Sequence, residues 1–85
     1  MAISGLVITL TDDPTLRARA MTAIEGEDRI TVGERKKNRL PVVLETKSSQ
    51  QGSHLVREKL MDLEGVEFVD VVTVDFRDEV LGAGR

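Results

Sequence analysis

Apolar residues recur along this chain with two different periods, and the alternation between those periods marks out six elements. Residues 3–10 (ISGLVITL) are aliphatic and β-branched over the length of a strand. Ser4, Leu6, Ile8 and Leu10 share one face of it, and Ile3, Gly5, Val7 and Thr9 share the other. Both faces carry apolar side chains, the pattern of a central strand. Asp13 and Pro14 then form a helix start: a carboxylate that can accept from free amides, followed by a residue whose missing N–H costs nothing at the first helical position. Leu16, Ala20, Ala23 and Ile24 give the helix its apolar stripe, and Gly26 ends it.

Residues 29–33 read as a short second strand in which Ile30 and Val32 alternate with polar residues. Residues 34–39 are a charged turn holding Arg35, Lys36, Lys37 and Arg39. Residues 40–46 form a third strand, with Leu40, Val42 and Leu44 on one side and Pro41, Val43 and Glu45 on the other. Residues 47–53 are polar and contain Gly52, so they read as a loop leading to a second helix, with Ser48 or Ser49 as its cap. That helix carries Val56, Leu60 and Leu63 as its stripe, flanked by Leu55, and closes at Gly65. Residues 66–76 are the fourth and longest strand. Residues 77–85 read as a loose tail after a single domain spanning 1–76.

A weak repeat supports this division. Ile24-Glu25-Gly26 and Leu63-Glu64-Gly65 stand 39 residues apart, and β-branched residues follow each at the same offsets. Two β-α-β units with right-handed crossovers give β-α-β-β-α-β. This is the ferredoxin-like α+β sandwich, a four-stranded antiparallel sheet with both helices on one face and the first and third strands in the middle. Parity places Leu6, Ile8, Leu10, Leu40, Val42, Leu44, Val69 and Val71 under the helices. It leaves Val7, Thr9, Val43, Glu45, Asp70, Val72 and Val74, with Phe76 beyond them, on a face that no helix covers.

An uncovered face should turn polar more consistently than this one does. Contiguous apolar surface usually marks a contact site. Glu45, Asp70 and Asp75 would border it with negative charge. Such a surface suits an amphipathic peptide, apolar on one side and basic on the other. A homodimer through the same face, or a β-rich surface with no partner, fits the pattern as well.

Composition narrows the function classes. The chain has 85 residues, a net charge of −3 and no cysteine. Disulfides, thiolate metal sites and a cysteine nucleophile are thereby removed. The acidic balance and two phenylalanines as the sole aromatics argue against nucleic acid as a partner. No apolar run is long enough to span a membrane, and residues 1–6 do not resemble a signal peptide, so the expected location is the cytoplasm. His54 is the single histidine, with no nucleophile beside it in any recognisable motif. The acidic residues lack the spacing of a metal site, and no phosphate-binding glycine motif is present. Gly65-Val66-Glu67-Phe68 is only faintly similar to the acylphosphatase phosphate loop, which follows the first strand rather than preceding the last. The expectation is a protein without catalysis, metal or cofactor.

Three stretches carry a resemblance to a known family: Ile3-Ser4-Gly5-Leu6-Val7-Ile8, Leu40-Pro41-Val42-Val43-Leu44-Glu45 and Leu63-Glu64-Gly65-Val66. Over residues 3–76 the chain resembles the NapD-type chaperones, small cytoplasmic proteins that assist assembly of the periplasmic nitrate reductase. The resemblance implies a ferredoxin-like fold. It also implies a role: binding the twin-arginine signal peptide of the catalytic subunit as a helix, and delaying export until the cofactor is inserted. Apolar peptide side chains would then lie on Val7, Val43, Val72 and Val74, and the arginines would meet Glu45 or Asp70. The basic turn at 34–39 departs from what the family leads one to expect. The competing reading is a small-molecule-binding regulatory or dimerisation module of the same fold.

Overall fold

The chain is described from a computed structural model, over residues 1–76. The strands are β1 (Ala2–Leu10), β2 (Ile30–Val32), β3 (Arg39–Thr46) and β4 (Val66–Phe76). They form one antiparallel sheet in the order β2-β3-β1-β4. Helix α1 (Pro14–Glu25) links β1 to β2, and α2 (Ser49–Leu55) links β3 to β4, continuing as a π-helical turn over Val56–Leu60. This is the ferredoxin-like arrangement, with β1 and β3 central as the alternation of residues requires. The tail at 77–85 lies outside the described residues.

Local chemistry accounts for the element boundaries. The Asp13 carboxylate accepts from the amides of Thr15 and Leu16 at 3.0 and 3.2 Å, and Pro14 opens the helix. Gly26 closes α1 with an ordinary right-handed φ of −79°. Among the described glycines, Gly65 is the left-handed one, at φ +98°. A β-carbon there would stand 2.6 Å from the Leu16 carbonyl oxygen, so α1 packs directly on the Gly65 backbone. The Gly65 carbonyl in turn accepts from the Thr11 amide at 2.8 Å.

The second helix starts earlier than its polar composition suggests. Ser48 is the cap, its hydroxyl accepting from the Gln51 amide at 3.2 Å, and helix runs through the stretch expected to be a loop. Gly52 is the reason this works. It is buried, and a β-carbon on it would lie 3.1 Å from Thr46 Oγ1 and 3.8 Å from Leu44 Cδ2, so the helix lies close on β3. The π-helical turn, closed by Met61 N–H donating to Val56 O at 2.9 Å, widens the helix. It buries Leu55, Val56 and Leu60 together.

The core lies between the helices and one face of the sheet. Leu6, Ile8, Leu10, Leu40 and Leu44 are wholly enclosed, with Ile24 of α1 and Leu60 packed among them. β3 alternates strictly between exposed and buried, placing Leu40, Val42, Leu44 and Thr46 inward. In α1, Ala20 and Ile24 are buried as the stripe implies, but Ala23 is exposed and Met21 packs on the core instead.

Candidate functional site

Neither helix covers the opposite face of the sheet, and strand register arranges that face into four rows. Directly opposed residues of an antiparallel pair point to the same side. The first row runs Glu45, Ile3, Asp75; the second runs Thr31, Val43, Gly5, Thr73. The third runs Pro41, Val7, Asp70, and the fourth Arg39, Thr9, Phe68. The middle of the face is thus a shallow floor. Val7 lies half-buried between Pro41 and Asp70, and Gly5 contributes no side chain between Val43 and Thr73. Val43 is 42% exposed and Phe68 54%, large values for side chains of this kind.

The expected residues do not all meet there. Val7, Thr9, Val43, Glu45 and Asp70 lie on the open face at the positions parity gives them. Val74 does not. The β1–β4 ladder slips between Gly5, which pairs with Thr73, and Leu6, which pairs with Val71. Val72 is the extra residue of a β-bulge, without a partner on β1 and 60% exposed. Beyond it the parity of β4 inverts. Thr73 and Asp75 take the open face, and Val74, opposite Ser4, turns to the helix side. There, with Leu6, Val56 and Val71, it lines a groove of about 560 Å³ between β4 and α2. Val71 is on the helix side as expected, yet 49% exposed, because α2 does not reach across it.

Residues that parity reading left out also belong to the face. Ile3, Pro41 and Phe68 lie on it by register. Each sits at a position of the same parity as Val7, Val43 or Asp70, so the signal was available in the alternation itself.

Charge is divided along the face. Glu45 and Asp75 flank Ile3 at one end. The basic turn stands at the other, because β3 begins there and Arg39 pairs with Thr9. Arg39 and Lys36 exchange backbone hydrogen bonds of 2.9 and 3.0 Å across a tight turn in which Lys37 adopts a left-handed φ of 56°. The Asn38 amide donates to the Asp12 carboxylate, and its carbonyl accepts from Leu10 N–H at 2.7 Å. The turn is therefore fastened to the loop that follows β1.

His54 is exposed in the last turn of α2. Among the described residues there is no cluster of three His, Cys, Asp or Glu side chains that could hold a metal ion. None of their helices is long and apolar enough to cross a membrane.

A search of solved structures gives a neighbour for the whole arrangement: the solution structure of the E. coli Tat proofreading chaperone NapD. It superposes with a TM-score of 0.71 at 19% identity, covering 98% of this chain and 86% of that one. The chain has the NapD fold. Neither a protein-family model nor any curated protein sequence matches it. The likeness to NapD is thus carried by the course of the backbone.

Proposed function

We propose that the chain is a NapD-like chaperone of the cytoplasm, without catalytic activity. Its ligand on this reading is the twin-arginine signal peptide of the catalytic subunit of a periplasmic nitrate reductase. It holds that peptide on the bare sheet face and delays export until the cofactor is in place. The observation that carries the reading is the face itself. Its apolar floor of Ile3, Val7, Pro41 and Val43 is left uncovered by both helices and bordered by Glu45, Asp70 and Asp75.

The physics of such a complex is straightforward. The apolar side of a helical peptide removes the valine floor from water, which drives association roughly in proportion to the area covered. The peptide arginines reach the carboxylate border as charge-assisted hydrogen bonds, a planar guanidinium being matched to a carboxylate as an ammonium is not. Over Gly5 the floor is closed by the Thr73 side chain, whose hydroxyl occupies the space a side chain at residue 5 would take. Val72 is offered from the bulge beside it. Ordering the peptide offsets part of this gain, so affinity falls below what the area suggests.

The deciding experiment is calorimetric titration with a synthetic twin-arginine signal peptide of a nitrate reductase, beside a version in which both arginines are lysine. Micromolar binding that weakens in the lysine version supports the proposal. No heat, together with a dimer by light scattering, would mean that the valine floor is closed against a second copy and that the likeness to NapD ends at the fold.

A further inference from the structure

The turn between β2 and β3 has a use that the peptide reading does not absorb. Arg17, Arg35, Lys36, Lys37 and Arg39 surround a concavity of about 660 Å³ whose other lining residues are Thr9, Asp12 and Asn38. Five of the twelve Lys and Arg residues are thus gathered at one end of a chain whose net charge is −3. Among the described residues none of these five is ion-paired. The one carboxylate in the basin, Asp12, already accepts from the Asn38 amide. Arg35 donates to the Lys37 carbonyl, and the turn is pinned to Leu10, so these cations stand on a fixed backbone. Arg17 likewise donates to the Thr11 carbonyl at 3.5 Å, and concentrated positive charge with no carboxylate paired to it costs self-repulsion, which an anionic partner relieves.

The basin also adjoins the face, since Thr9 belongs to both. We infer that it is a second docking point, for an acidic segment of the same protein client whose basic end lies at Glu45 and Asp75. This rests on the peptide reading and adds a polarity to it: the client lies along the strands, basic end at Ile3, acidic segment beyond Thr9. Six strand residues separate those positions, or about 20 Å. A helical peptide covers that distance in about 13 residues. The C-terminal end of such a helix carries partial negative charge and would point at the basin, in keeping with the same direction.

The test uses the full chain and three synthetic peptides sharing an Arg-Arg pair and an apolar helical body. One carries three Glu centred about 13 residues after the arginines, one carries Gln there, and one carries the Glu about six residues after them, roughly half of the way along the face. The first should bind about three- to fivefold more tightly than the other two at low ionic strength, and the advantage should fade with added salt. The doubly reversed variant K36E/K37E should lose that advantage while binding the Gln peptide as before. If the reversal prevents folding, K36Q/K37Q serves with the same expectation.

Equal affinities for the Glu and Gln peptides would overturn the inference and leave the peptide reading standing. So would an advantage that survives charge reversal, or tighter binding of a short oligothymidylate to the same lysines. If the Gln peptide fails to bind at all, the peptide reading falls. A free Glu-rich peptide then decides the basin alone: binding abolished by K36E/K37E sustains it, and no binding ends it.

Discussion

Gly5 stands directly opposite Thr73 in the β1–β4 ladder, and a β-carbon at residue 5 would come within 2.8 Å of the Thr73 hydroxyl. The two residues fill one position between them, at the step where the strands change register. Gly5→Ala should therefore cost about 1 kcal/mol of stability in the parent chain. In a Thr73→Ala background the same change should be neutral or slightly stabilising, because the obstruction is gone and alanine restricts the unfolded chain. Urea unfolding of the four proteins in this cycle measures the coupling. Identical costs in both backgrounds would show that the hydroxyl does not set the choice of glycine.

Gly65 combines a left-handed φ with a close approach to α1, and substitution can separate the two. Gly65→Ala should lose about 2–3 kcal/mol, from backbone strain together with displacement of the helix. Gly65→Asn should be no better. Asparagine tolerates positive φ, but its β-carbon meets the same Leu16 carbonyl, 2.6 Å away. Recovery of stability in the asparagine variant would mean that conformation alone selects glycine here.

The face can be altered without disturbing the core, because Val43 is already exposed. Val43→Asp should leave the free energy of unfolding within about 0.5 kcal/mol of the parent while abolishing peptide binding in calorimetry. Unchanged affinity would place the peptide elsewhere, the groove beside Val74 being the first alternative. Glu45→Lys should weaken binding more at low salt than at high salt, since screening blunts the attraction it removes. A parent protein whose affinity ignores salt would count against the carboxylate border.

Glu27 is held below the ordinary carboxylate range, chiefly by its hydrogen bond with Lys59 at 3.0 Å. A depressed native value favours the folded state at pH above the ordinary glutamate range, and the benefit disappears as pH falls through the lowered value. The Lys59 side chain is 66% exposed, so solvent screens the pair and its contribution is about 0.5 kcal/mol. Lys59→Met should remove that amount near neutrality, and the difference from the parent should close in acid. A difference that persists below pH 3 would point to lost packing instead.

Most of this architecture follows from alternation. The inward set on β1 and β3 is readable because the two strands pair with each other without a register shift, and on β3 exposure alternates without a break. Val74 could not be placed this way. A bulge inserts one residue and inverts parity beyond it, and nothing in the run Val-Asp-Val-Val-Thr-Val marks which valine is extra. The start of α2 was hidden for a different reason. Its first turns are serine and glutamine with a glycine on the buried side, where contact with Thr46 needs absence of a side chain rather than an apolar one. The division of charge along the face needed register, because the turn at 34–39 is basic in any arrangement and only the pairing of Arg39 with Thr9 sets its distance from Glu45.

The placement of β1 between β3 and β4 also fixes when the face can exist. Ala2 pairs with Phe76, almost the whole chain away, and the floor residues of β1 find their β4 neighbours only across that separation. Closing so long a loop carries an entropic cost before any contact rewards it, and chains dominated by such pairings fold slowly. During synthesis β1 waits for the last strand to emerge. The floor of β1 and β3 therefore gains its Asp70 and Asp75 border only when β4 pairs, so the open face is completed by the last strand to be made.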